Sequence, residues 1–181
     1  PGDQPGHWRQ DPIAQLPLAL GVYWGGVRPF VIETGEAFRV PPPPSMGSAA
    51  YAAAFDIGTT TVVGMLLNLA TGEEVAVAAR TNPQVSYGDD VVTRISFAGD
   101  GGLGKLHGAI VECINQILAE LSSKSGVSSD SIYQAVFCGN TTMSHLFLGV
   151  DPTYVAQAPY VAVFRSAVET APGALGLVMN G

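Results

Sequence analysis

The sequence predicts an α/β domain whose mixed β-sheet combines a three-strand meander with a later strand that follows a helical crossover. Three observations support this fold class. Apolar segments separated by short turns occupy residues 50–79. Residues 103–121 carry leucine and isoleucine mostly at steps of three and four, which is typical of an amphipathic helix. A further apolar segment follows at 132–138, so the order of elements fits a layered α/β domain.

The N-terminal part of the chain, residues 1–49, differs from the rest because prolines interrupt it. Proline blocks helix interiors and central strands, so the stretch 18–33 has room for only one or two short strands. The proline run at 41–44 predicts a stiff linker, and we place a boundary within 46–48. We therefore expect a proline-rich linker or the remnant of a middle domain over 1–49 and the ordered domain over 50–181.

The meander starts with residues 50–56, a run of small apolar residues that indicates a buried strand. Residues 60–69 are β-branched and aliphatic, which predicts the second strand. A Thr71–Gly72 turn then leads to a third strand from Glu74 to Ala79. Short turns between these segments favour antiparallel neighbours.

The second half of the domain begins with helical spacing over residues 87–98, and Gly126 ends the long helix that follows. After the strand at 132–138, Gly139, Asn140 and Thr141 lead into a short helix that stops at Gly149 and Pro152. The first N–H groups of this helix can hold an anion. Alternatively, Asn140 or Thr141 simply caps the helix.

The composition argues against several classes of function. The chain is 47% hydrophobic and 13% charged, with a net charge of −7. Nucleic acids and anionic membrane surfaces attract basic surfaces, so neither is expected as a partner. Two cysteines, Cys113 and Cys138, are too few for a four-thiolate iron–sulfur cluster, and we expect both to be buried and reduced. Few cysteines and no secretory signal predict a cytoplasmic protein.

The segment Asp-Ile-Gly-Thr-Thr-Thr at 56–61 is the main candidate for a functional site. Asp56 ends a strand, where its carboxylate can orient a Mg²⁺-bound or nucleophilic water. Gly58 lets the backbone approach a phosphate because it has no Cβ. Thr59, Thr60 and Thr61 offer hydroxyl and N–H groups to phosphate oxygens. From these residues alone, an ordinary hairpin turn with strand-favouring threonines stays an alternative.

Three other polar features have a structural and a functional interpretation. The loop at 82–90 either lines a cleft or leads into a helix with acids at its N-terminus. We expect Arg94 to be a solvated or ion-paired surface residue rather than a phosphate ligand. His145 has no second metal-binding side chain four residues away, so we expect a structural or surface histidine.

The hairpin position of the Asp-x-Gly-Thr-Thr segment resembles the first phosphate loop of the actin-like ATPase superfamily, whose lobes have a ribonuclease H-like fold. Two further segments narrow the resemblance. The sequences "RTNPQVSYGDDVVTRI" at 80–95 and "FCGNTTMSHLFLGVDPTYVAQAPYVAVF" at 137–164 are similar to the C-terminal ATPase domain of the reductive activators of corrinoid proteins. The similarity extends over roughly residues 53–164.

The resemblance implies ATP and Mg²⁺ as cofactors and a corrinoid protein of a methyltransferase system as the partner. Complete members of the family restore cobalt(II) corrinoids to cobalt(I) in anaerobes, and they carry a 2Fe–2S ferredoxin-like domain at the N-terminus. For this chain, Asp56 is implied as the catalytic and magnesium-orienting residue. Gly58 to Thr61 and Gly139 to Thr141 are implied as nucleotide-binding residues. Whether the chain forms a homodimer is left open.

The sequence also departs from the family pattern. It has no ferredoxin segment with cluster cysteines and no second Asp-x-Gly-Thr loop, although the two-lobed fold needs one. We therefore expect the first lobe alone, which carries half of an ATP site and is inactive in isolation. Two alternatives stay open: a non-catalytic module that docks a corrinoid protein, and a lobe of another actin-like small-molecule kinase.

Overall fold

The computed structural model describes residues 50–179 and the backbone of one further strand, 19–23. That strand lies in the stretch where one or two short strands are expected. The predicted linker at 41–44 and the boundary at 46–48 lie outside the described residues.

A mixed sheet forms the centre of the domain, as predicted. Its strands are β1 (Ala19–Tyr23), β2 (Tyr51–Ile57), β3 (Thr61–Asn68), β4 (Glu74–Thr81), β5 (Ile132–Gly139) and the short β6 (Glu169–Thr170). The spatial order is β4-β3-β2-β5-β1-β6. The meander β2–β3–β4 is antiparallel, whereas β5 lies parallel to β2 after the helical crossover. The actin-like assignment of this sheet stays a prediction.

Four α-helices complete the described fold: α1 (Val91–Phe97), α2 (Leu103–Ser125), α3 (Thr141–Phe147) and α4 (Thr153–Ala156). The predicted end of α2 is confirmed, because Gly126 has a φ of 72° and donates its N–H to the Ser122 carbonyl. Glycine reaches this left-handed conformation without strain. Within the described part of the chain, no helix is long and apolar enough to cross a membrane.

The core lies between α2 and one face of the sheet. Phe55 of β2 and Phe137 of β5 stack with ring centroids 4.8 Å apart, and both side chains are buried. Gly64 of β3 lets α2 come close, since a Cβ there would lie 2.5 Å from Cγ2 of Ile117. Each fully buried large apolar side chain contributes about 1.5–3 kcal/mol relative to exposure.

Burial alternates along β2, because successive side chains of a strand point to opposite faces. Ala53, Phe55 and Ile57 are buried against the helices, whereas Asp56 is exposed on the opposite face. The strand is therefore not buried on both sides at its end. This leaves the Asp56 carboxylate accessible to a ligand.

Candidate functional site

The loops that follow β2 and β5, predicted as site segments at 56–61 and 139–141, lie side by side at the carboxyl ends of these strands. In the parallel pair β2–β5, Ile57 is aligned with Gly139, so both strands end together. A Cβ on Gly139 would lie 2.9 Å from the Ile57 carbonyl oxygen, which shows how closely the strands approach. Asn140 donates from Nδ2 to the Thr59 hydroxyl over 3.4 Å. Ligands of open α/β sheets bind at such carboxyl ends of strands.

The β2–β3 hairpin closes through Gly58, whose N–H donates to the Thr61 carbonyl over 2.9 Å. A Cβ on Gly58 would lie 2.6 Å from the same oxygen. The hairpin therefore requires glycine at this position for space, whereas the predicted role of Gly58 in the approach to a phosphate stays a prediction.

Two buried side chains engage the carbonyls of this hairpin. Asn82 donates from Nδ2 to the Gly58 carbonyl over 2.8 Å, and its own N–H donates to the Thr60 carbonyl over 2.7 Å. Arg94 donates from Nη2 to the Thr59 carbonyl over 2.6 Å. Three successive carbonyl groups are thus held by donors on the protein side.

This arrangement orients the N–H groups of the hairpin. In a trans peptide the C=O and the next N–H point in opposite directions, so each N–H group of Thr59, Thr60 and Thr61 points away from the donor that binds the carbonyl of its own peptide, which is Asn82 for Thr59 and Thr61 and Arg94 for Thr60. Among the described residues, none accepts the N–H of Thr59 or Thr60. Successive N–H groups without an internal acceptor can form an anion-binding concavity.

The structure contradicts the expectation that Arg94 is a surface residue, since its side chain is 0% exposed. Besides Thr59, it contacts the Gly88 carbonyl from Nε at 2.8 Å and both Gln84 Oε1 and Met143 Sδ from Nη1 at 3.3 Å. Burial lowers the pKa of Arg94, an effect that nearby carboxylates oppose. Arginine nevertheless stays charged in proteins.

The sequence contained a signal for this burial. Arg94 follows Val91 by three residues and precedes Ala98 by four, so it lies on the apolar side of α1 together with Ile95. A charged residue within an apolar helical stripe faces the core and must find acceptors there. Asn82 and Gln84 supply polar neighbours from the preceding loop, and both are fully buried.

The acidic candidate, Asp56, lies beside a cysteine of β5. The Cys138 thiol donates to the Phe55 carbonyl at 3.2 Å and lies 3.9 Å from Asp56 Oδ1. Burial first, and then the Asp56 carboxylate, raise the pKa of Cys138 to about 11. The thiol is therefore protonated near neutral pH and has little nucleophilic character. Cys113 is also buried and free, so the prediction for both cysteines is confirmed.

The helix caps explain other polar residues in structural terms. Asn140 accepts the N–H of Met143 at 2.9 Å and so caps α3, while Asp90 accepts the N–H of Thr93 at 2.8 Å and caps α1. A cap of this kind stabilises a helix by about 1 kcal/mol. A nucleotide-binding role for Gly139, Asn140 and Thr141 stays a prediction, as it does for Asp56 and Gly58 to Thr61.

The structural interpretation of His145 is confirmed. Its ring is fully buried and lies on Phe164 with centroids 4.3 Å apart. Nδ1 contacts the Thr141 carbonyl at 2.7 Å and Nε2 contacts the Val163 N–H at 3.1 Å. Because a carbonyl only accepts and an amide N–H only donates, the proton lies on Nδ1 and the ring is neutral. Burial lowers the pKa of His145 in agreement with this.

Comparisons with known proteins agree on one family. A family model described as the RACo middle region matches residues 51–181. The chain is 39% identical over 120 residues to the corrinoid activation enzyme RamQ of Eubacterium limosum, a match that covers 65% of this chain and 20% of RamQ. A solved structure of a reductive activator for corrinoid, iron–sulfur protein is similar, with 35% identity and a TM-score of 0.72. The structural match covers 75% of this chain and 22% of the chain of that activator. This chain therefore spans about a fifth of the length of each relative.

Proposed function

Since the chain belongs to the family of reductive activators of corrinoid proteins, we propose that it supplies the first phosphate loop of an ATP site that drives reduction of a corrinoid from Co(II) to Co(I). The assignment of residues 50–181 to an actin-like lobe is part of this proposal. The names of both similar proteins refer to corrinoid activation. The corrinoid protein is then the partner and the substrate.

The β2–β3 hairpin is the observation that carries the nucleotide part of the proposal. Its carbonyls are bonded to Asn82 and Arg94, and its N–H groups at Thr59 and Thr60 have no acceptor among the described residues. A buried positive charge behind two outward N–H groups fits phosphate oxygens. Gly58 allows the tight closure of the hairpin that presents these groups, since a Cβ there would meet the Thr61 carbonyl.

Asp56 fits the role of a magnesium-orienting residue. Within the described part of the chain, no three His, Cys, Asp or Glu side chains come together as a metal site. Mg²⁺ commonly keeps several waters and binds one or two carboxylates together with substrate phosphates, so a single exposed carboxylate beside the hairpin is sufficient. ATP bound here would supply the phosphoanhydride bond whose hydrolysis to ADP and phosphate drives the uphill electron transfer. Asp56 would hold a metal-bound or attacking water in position.

An iron–sulfur cluster does not fit this chain, because its two cysteines are buried in separate elements, α2 and β5. The electron for the corrinoid must therefore come from a group outside residues 50–179. We assign to this chain only the binding and orientation of the nucleotide. It forms one wall of the site, and we expect weak ATP affinity when it acts alone.

Titration of the ¹⁵N-labelled 181-residue chain with ATP, with and without Mg²⁺, tests this function. We expect the amide signals of Thr59 and Thr60 to shift, with affinity in the millimolar range. Asp56→Asn should remove the Mg²⁺ dependence and leave the Mg²⁺-free response in place. Asp100→Asn, which makes the same charge change in an exposed turn, is the matched control. Hairpin amides that do not respond to ATP would refute the proposal.

A docking module is the second candidate function, favoured by exposed apolar residues beyond α3. Tyr154, Tyr160 and Val163 are 60%, 69% and 65% exposed, and aromatic residues are enriched in protein interfaces. A pull-down of a purified corrinoid protein by the chain distinguishes the candidates. Under the docking hypothesis, capture survives Asp56→Asn and does not depend on ATP, whereas Tyr160→Ser weakens it.

A further inference from the structure

Arg94 is a buried cation whose contacts are all uncharged. It contacts two carbonyls, one side-chain amide oxygen and one thioether sulfur. Among the described residues, no carboxylate lies within ion-pair distance of it. A buried charge that is not closely paired costs several kcal/mol, so proteins normally pair such groups. The carboxylates of Asp89 and Asp90 lie near enough to favour the charged form of Arg94 but do not bond it, so an anion bound at the hairpin would supply a further counter-charge.

The guanidinium reaches such an anion through one peptide group. Nη2 donates to the Thr59 carbonyl over 2.6 Å, and the N–H of Thr60 belongs to the same peptide and points the opposite way. A charged donor on the carbonyl polarises the peptide and strengthens its N–H as a donor. Thr60 itself is exposed. An anion on this N–H is thus stabilised by Arg94 without touching it.

We propose that Arg94 is a positioning residue that fixes the hairpin and transmits positive charge to the bound polyphosphate through the Thr59–Thr60 peptide. The inference rests on the proposed nucleotide site and names what that site selects. The site recognises the charge of a phosphate chain, so its affinity increases with the number of phosphates on the ligand. The nucleoside is bound elsewhere.

Inorganic phosphate, pyrophosphate and tripolyphosphate separate a charge effect from a structural one. Amide shifts of Thr59 and Thr60 in the 181-residue chain give the affinity for each anion. Each charge added along the phosphate chain should gain several-fold in affinity from Arg94, and less when it lies farther from the Thr60 N–H. Arg94→Met should therefore weaken the binding of tripolyphosphate more than the binding of phosphate. It should also move the Thr60 N–H signal upfield even without ligand.

Two further variants control the experiment. Arg80→Met removes the same charge from the exposed β4–α2 contact, and it should change each affinity less than about twofold. Arg94→Lys keeps the charge and should preserve the order of the three anions. This variant also decides the case if Arg94→Met fails to fold, which amide dispersion reveals.

The outcomes separate this inference from the function on which it rests. If tripolyphosphate leaves the hairpin amide signals of the wild-type chain unchanged, both the proposed nucleotide site and the proposed role of Arg94 are refuted. If the amides respond but Arg94→Met lowers the affinity for all three anions by the same factor, the nucleotide site is retained and only the charge role of Arg94 is wrong. A folded Arg94→Lys chain that loses the preference for tripolyphosphate would overturn the inference as well.

Discussion

Replacement of Gly58 by alanine is the sharpest perturbation of the candidate site, because it adds one methyl group where the hairpin closes. The new Cβ would lie 2.6 Å from the Thr61 carbonyl oxygen. That oxygen also accepts the Gly58 N–H at 2.9 Å. The backbone must therefore shift, and the closing hydrogen bond of the hairpin is disrupted.

The size of the effect follows from these two contacts. Overpacking of one methyl group against fixed backbone costs about 1–3 kcal/mol, and loss of the hydrogen bond adds about 0.5–1.5 kcal/mol. Gly58→Ala should therefore lower the unfolding free energy by about 1.5–4.5 kcal/mol. For a domain of this size, the decrease corresponds to a Tm about 5–15 °C lower. The response of the Thr59 and Thr60 amides to ATP should be lost at the same time.

Thermal and urea denaturation of the 181-residue chain measure the stability, and the ATP titration measures binding. Gly108→Ala is the matched control, because Gly108 lies inside α2 and its added Cβ meets nothing within 4 Å. In a helix this exchange stabilises by about 0.5–1 kcal/mol. Opposite signs for the two variants are expected. A Gly58→Ala chain as stable as the wild type, with an intact ATP response, would refute the reasoning about the hairpin.

Three further predictions concern the core, the surface and pH. Phe137→Ala should lower the unfolding free energy by about 3–5 kcal/mol, because the ring is fully buried; urea denaturation measures it, and a loss below about 1 kcal/mol would contradict the described core. Glu120→Gln removes partly exposed ion pairs with Arg80 and Lys124, so it should cost at most about 1 kcal/mol and less in molar salt. Since burial lowers the pKa of His145 below its ordinary 6.5, the unfolded chain binds the extra proton first as pH falls. The contribution of the neutral His145 ring to the unfolding free energy is complete above pH 6.5 and is lost as the pH decreases toward the lowered pKa. If His145→Gln and the wild type show the same pH dependence of the unfolding free energy, this reasoning is contradicted.

The sequence was sufficient for the meander, the long helix and the caps, because these depend on local patterns. The steps of three and four residues along α2 and the glycine at 126 fix a helix without knowledge of its neighbours. Likewise, Asn140, one of the two predicted capping residues, caps α3. The four strands of the meander and crossover were therefore predictable to within one or two residues.

The environment of Arg94 could not be read in the same way, because it depends on partners far away in the sequence. Thr59 and Met143 lie 35 and 49 residues from Arg94. Helical spacing indicates the buried side of α1, yet it does not reveal which carbonyls meet the guanidinium there. The general expectation that arginine is exposed failed for this reason. The face of β2 on which Asp56 is exposed likewise depends on which side of the sheet the helices cover, and this is not visible in the sequence of the strand.

The same long-range contacts determine how the candidate site can work. Arg94 joins the hairpin to α3 through Met143, and Asn140 joins α3 back to Thr59. The loops at Thr59 and Asn140, more than eighty residues apart along the chain, are thus connected by a hydrogen bond. The buried Arg94 side chain contacts both the hairpin and α3. A hairpin held at three successive carbonyls needs little reorganisation when an anion binds, and such preorganised donors lose little entropy on binding. Weak affinity of this chain for ATP would therefore reflect contacts with the nucleoside that are made elsewhere, rather than a hairpin that has to be ordered first.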